Sequence, residues 1–216
     1  MGAMATRTPR AAPADRVDKR EAVLRAAIAV FGREGYARAS VDEIARLAGV
    51  AKPTVYNRFG DKATLFVETV AHAAARSNDA VMDVIDATST QPEDLRGELE
   101  RLGRALAGCA MHSDGAAVIR LQMTEHAEFG EAFDKIRTEG RDRTLDRLAG
   151  KLAQLAATGH LRLTDPQRAA RQFLALINDE ALVRSGYGTT VLTQADIAAP
   201  VADAVDTFLA AFGTRA

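Results

Sequence analysis

Apolar residues in this chain recur every three to four positions, and the two-residue alternation of a half-buried strand is almost missing. Leu24, Ala27, Ile28 and Phe31 fall at i, i+3, i+4 and i+7, which predicts an amphipathic helix over about 17–34 that stops at Gly35. Further stripes predict helices from about 62 into the 80s and near 92–109, 115–126, 129–158, 166–186 and 195–212. Leu161 and Leu163 do alternate, but Thr164-Asp165-Pro166 opens the next helix and leaves no room for a sheet. The expected fold is all-α, with about nine helices and no internal repeat.

Between the first stripe and the long helices lies a different pattern. Ser40-Val41-Asp42-Glu43 has the spacing of a capping box, opening a short helix through Val41, Ile44, Ala45 and Ala48 that Gly49 closes. Pro53 suits the first turn of a following helix, and Asp61 suits the cap of the next. In VAKPTVYNRFGDK, residues 50–62, only Val55 and Phe59 repeat at a helical spacing, while hydrogen-bonding side chains crowd around them. Two short helices joined by a glycine turn, with helix 17–34 as third partner, make a helix-turn-helix. Its last helix needs few anchors if its other faces enter a DNA major groove, which admits one α-helix. On chemical grounds Lys52, Asn57 and Arg58 can read base edges, and Thr54 and Tyr56 can bond phosphate. Lys62 sits beside a helix N-terminus where anions dock, and Ser40 can contact phosphate as well as cap. Alternatively, each of these is a solvated surface residue.

Charge divides the same way. Residues 1–62 carry 12 Lys+Arg against 7 Asp+Glu, whereas the remainder carries 16 against 22, so a basic head precedes an acidic body. The head therefore suits a polyanion. Residues 1–16, rich in Arg, Ala and Pro, are expected to form a flexible arm; residues 17–66 form the head and 67–216 the body.

Other classes find little support. With 47% apolar residues the chain is globular. No apolar run approaches the roughly 20 residues of a membrane span, so no membrane partner is expected. No secretory h-region is present, and the single cysteine, Cys109, cannot make an internal disulfide, so a reducing, cytoplasmic setting is expected. His72, His112, His126 and His160 lack metal-ligand spacing, and no nucleophile–base pair, paired carboxylates or phosphate loop appears. Neither a metal, a cofactor nor an enzymatic activity is expected.

The segment GYARASVDEIARLAGVAKPTVYNRFGDKATLF, residues 35–66, closely resembles the DNA-binding domain of the TetR family of bacterial transcriptional regulators. The resemblance rests on the aromatic after Gly35, Ser40, Ile44-Ala45, Gly49-Val50, Tyr56, Phe59, Lys62 and Leu65-Phe66. It implies Lys52, Pro53 and Tyr56 near the bases, with Thr54, Arg58 and Lys62 on the backbone. Ala51 departs from the pattern at a turn position often held by Ser or Thr, and Asp42 and Glu43 bring acid close to DNA. Residues 118–188 are similar to the C-terminal domain of the AefR-like subgroup, which implies an effector-binding and dimerisation domain. The whole then reads as a homodimeric repressor on a palindromic operator, released by a small apolar effector.

In the body, Met82, Met111, Met123, Phe129 and Phe133 lie on helices that would enclose a pocket, with Arg120 for a polar group; core packing is the alternative. The stripe containing Val201, Val205 and Phe208 and the one containing Phe173 and Ile177 are expected at a dimer interface, given the resemblance, although a core face reads the same. Asn178-Asp179-Glu180 interrupts the second stripe, with Glu180 on the rim of that seam or the triplet against a ligand. Pro200 either kinks or starts the last helix.

Overall fold

The computed structural model describes residues 13–111 and 113–214, and among them nine helices and no strand. They are α1 (Pro13–Arg38), α2 (Val41–Leu47), α3 (Lys52–Phe59), α4 (Lys62–Asp86), α5 (Leu95–Met111), α6 (Ser113–Thr124), α7 (His126–Ala157), α8 (Pro166–Arg184) and α9 (Gln194–Phe212). The chain divides into two compact units, residues 1–69 and 70–216, and the division falls inside α4. Of the arm expected over 1–16, residues 1–12 lie outside the described residues. Residues 13–16 are helical, because Pro13 opens α1, where its missing amide is no loss.

The first unit is held by the expected face of α1. Leu24, Ala27, Ile28 and Phe31 are all buried, as are Val41, Ile44 and Ala45 of α2, on which α1 packs, and Leu65 and Phe66 of α4. Phe31 and Phe66 stack edge to face with centroids 4.8 Å apart, and Tyr36 lies 5.1 Å from Phe66. Gly35 breaks the helical backbone with φ 75°, so the last residues of α1 form a separate turn.

In the second unit α8 and α9 pack on each other and on α5, while α7 covers α8. Their shared core runs from Ile85, Leu99 and Leu102 through Leu148 and Leu152 to Phe173, Ile177, Val201, Val205 and Phe208. The Phe173 and Phe208 rings meet edge to face at 5.0 Å. Asp165 caps α8 by accepting from the Arg168 amide at 2.9 Å. Leu161 makes an isolated bridge with Gly213 and no sheet.

Local chemistry changes two expectations. Ser40 makes no side-chain capping hydrogen bond, and the Glu43 carboxylate expected to complete the box accepts from Arg33 at 2.8 Å. A complete capping box stands instead at Thr193 and Asp196, and it starts α9 at Gln194. Pro200 therefore lies inside α9 and does not start it. Proline leaves the carbonyl four residues earlier, on Asp196, without its amide, and Arg184 Nη1 donates to that oxygen at 3.4 Å.

Candidate nucleic-acid interface

The turn between α2 and α3 is fixed by backbone alone. Val50 N–H donates to Ala45 O at 3.0 Å and Gly49 N–H to Arg46 O at 3.3 Å, the paired bonds of a Schellman motif. Gly49 supplies the left-handed residue it needs, with φ 67°. The carbonyls at the end of α2 are thus satisfied within a few residues, and α3 follows at once with Pro53 in its first turn.

Val55 and Phe59 are 1% and 4% exposed, and they alone anchor α3. Lys52, Pro53, Thr54, Tyr56, Asn57 and Arg58 are all exposed, Tyr56 at 40%, so the six candidate residues of α3 share a solvent-facing surface. Ser40, at the N-cap of α2, is half-buried. Lys62, also half-buried, donates from Nζ to Ala37 O at 3.1 Å and lies 4.9 Å from the centre of the Tyr36 ring. Its first role is therefore to tie α4 to the end of α1.

Acids hold part of the basic charge of the head. Lys52 Nζ bonds Asp42 Oδ2 at 2.8 Å across the two helices, and this hydrogen bond raises the lysine pKa. Arg33 bonds Glu34 and Glu43, both of which raise its pKa. Arg38, Arg46 and Arg58 are exposed and have no acid or hydrogen-bond partner among the described residues. Sequence reasoning missed Arg38 and Arg46. The available signal was that Arg38 and Arg46 stand in the last turns of α1 and α2. Below α3, Asp61 accepts from the Thr64 amide at 2.7 Å, a bond that lowers its pKa and caps α4.

A backbone-fixed turn, two anchors and an exposed polar helix suit this surface to lie on a nucleic-acid duplex. The comparisons agree. The family model for bacterial regulatory proteins of the tetR family matches residues 23–69, and that for the AefR-like transcriptional repressor C-terminal domain matches 97–214. The chain belongs to the TetR family. An uncharacterized HTH-type transcriptional regulator of Mycobacterium bovis is 28% identical over 196 residues, covering 90% of this chain and 96% of the relative. An HTH-type transcriptional repressor of Streptomyces coelicolor is 29% identical over 129 residues, covering 60% and 57% respectively. The crystal structure of a TetR-family regulator from Mesorhizobium loti superposes with a TM-score of 0.83 at 27% identity, over 94% of this chain and all of that one.

TetR-family proteins are DNA-binding transcriptional regulators and not enzymes, so the first unit is a DNA-binding head. Among the described residues no helix is long and apolar enough to cross a membrane, and no group of three or more His, Cys, Asp or Glu could hold a metal ion.

For the second unit of this TetR-family chain the outcome is mixed. Met123 and Phe133 line one cavity of about 470 Å³ together with Leu182 and Tyr187. Phe129 packs beside Phe133, with centroids 6.0 Å apart, at a break in α7. Met82 packs against the main core, Arg120 Nη1 donates to Gly188 O, and the Met111 side chain lies outside the described residues. Phe173, Ile177, Val201, Val205 and Phe208, expected at a seam, are buried within the one chain by the packing of α5, α7, α8 and α9 and present no open surface there. Glu180 is exposed and bonds Arg184 Nε at 2.8 Å.

Proposed function

We propose that this chain binds an inverted-repeat operator as a homodimer, represses transcription there, and is released by a small molecule bound in residues 70–216. The observation that carries the reading is the exposure of six of the eight α3 residues on a helix fastened by Val55 and Phe59 alone. An isolated helix of eight residues is marginal in water, so its stability comes from those two contacts and the Schellman turn. The exposed side chains are then free for base edges and phosphates.

Support for pairing comes from the outer face of α8. Gln172, Ala175, Leu176, Asp179 and Val183 are exposed at helical spacing, with Leu176 at 38% and Val183 at 56%. An exposed face that carries Ala175, Leu176 and Val183 between Gln172 and Asp179 fits a self-complementary two-fold interface. Two-fold symmetry in turn matches two half-sites a whole number of helical turns apart. The repressor sense is supported by the description of the C-terminal family model and by the Streptomyces coelicolor relative. Release requires an effector that favours a head arrangement unable to span both half-sites, and a coupling of about 1–3 kcal/mol suffices.

The test is selection of bound fragments from genomic or random DNA by the purified full chain. An inverted repeat with two half-sites is expected, and recovery of unrelated sequences at equal efficiency would overturn the reading. Binding should also weaken steeply with salt, since each phosphate contact releases counterions with a log–log slope of about −0.9.

A further inference from the structure

A second cavity, of about 340 Å³, lies within the second unit between α4, α5, α7 and α8, and shares Asn178 with the one lined by Met123 and Phe133. Its floor is apolar, with Leu106 from α5, Leu145 from α7 and Leu174 from α8. Two guanidinium side chains border it, Arg141 from α7 and Arg171 from α8, and no carboxylate is among its lining residues. Neither arginine has an ion pair or hydrogen bond among the described residues. Their own helices offer no carboxylate at helical spacing either. The residues three and four positions away are Arg137, Thr138, Thr144 and Leu145 for Arg141, and Gln167, Arg168, Leu174 and Ala175 for Arg171. The remaining polar wall includes Asn178, whose side-chain oxygen is buried and has no hydrogen-bond partner among the described residues.

Both arginines are exposed at the border of the cavity, and a ligand anion between them gains two charge-assisted hydrogen bonds. Guanidinium suits a carboxylate in particular, because its planar fork matches both oxygens. A buried amide oxygen without a partner is unusual enough to need one. We infer that this cavity binds an amphipathic carboxylate, with its apolar body on the leucine floor, its head between Arg141 and Arg171, and a hydroxyl or N–H hydrogen donated to Asn178. The inference rests on the effector reading above and gives that effector a charge class.

The test uses the full chain with octanoate, octanol and octylamine, each followed by calorimetry. Octanoate should bind at least tenfold more tightly than either neutral or cationic analogue. The Arg141→Met/Arg171→Met double variant should lose that preference while keeping its melting temperature and oligomeric state. Addition of a 3-hydroxyl to octanoate should strengthen binding to the parent chain and not to Asn178→Leu. Equal binding of octanol, or a preference retained by the double variant, overturns the site; so does a double variant that falls to monomers, which would give the arginines to a protein seam. The two readings separate on an operator fragment. Octanoate that binds through the arginines but leaves the DNA complex intact upholds the site and removes its regulatory role. Octanol that binds as tightly as octanoate and still releases DNA upholds an effector and removes the anion site.

Discussion

Lys52 and Tyr56 are neighbours on the exposed surface of α3, yet their states differ. Tyr56 is 40% exposed and has a free path to a phosphate, whereas Lys52 is already bonded to Asp42. Replacing Tyr56 by Ala removes a hydroxyl and a ring from the docking surface without touching Val55 or Phe59. Operator affinity should fall at least tenfold in a fluorescence-anisotropy titration, with the melting temperature unchanged. Asp42→Asn should act in the other direction. An exposed ion pair is worth little to stability, so its loss is nearly silent in the fold, but it frees a cation for DNA. Binding to any duplex should tighten, and the salt dependence should steepen by about one phosphate contact.

Among the elements, α3 begins weakly. Ala51 has the extended backbone of an N-cap, φ −75° and ψ 143°, but no side-chain oxygen to offer. Ala51→Ser should stabilise the head by about 1 kcal/mol, measurable by thermal or urea unfolding, because a serine oxygen can bond an orphan amide at the start of α3. The helix itself was legible from two apolar positions and Pro53. The capping box at Ser40 was only half a matter of spacing: the sequence does not reveal that Arg33 stands within reach of Glu43 after folding, and the Ser40 hydroxyl makes no cap bond of its own. The last helix carried the opposite lesson. Pro200 drew the eye as a possible start, yet Thr193 and Asp196 set the start six residues earlier, and the missing amide is covered by Arg184 from another helix.

At the scale of the whole molecule, periodicity identifies an apolar face but not the chain that covers it. Phe173, Val205 and Phe208 read equally well as core or as seam, and the packing of α5, α7, α8 and α9 makes them core. Phe208→Ala should therefore cost about 3–5 kcal/mol of stability in chemical unfolding. Leu176→Glu, on the open side of α8, should leave unfolding nearly unchanged and shift the chain toward monomer in sedimentation. The surface also sets a response to acid. Asp86 is held below the ordinary carboxylate range by the hydrogen-bonded Arg147, Asp206 by Arg96, Asp196 by Thr193 and Asp61 by the Thr64 amide. A folded-state pKa below the unfolded value contributes stability at higher pH that disappears as pH falls through the folded value. Melting temperature should thus be flat from pH 7 to about 4 and decline below it.

The two-point attachment of α3 has a further result for lineages that carry this head. Because six of its eight positions bear no weight in the core, mutations there are screened by the genome's binding sites and hardly at all by folding. Retargeting to a new promoter then demands only point changes along one helix, and a library varied at those six positions should express as readily as the parent.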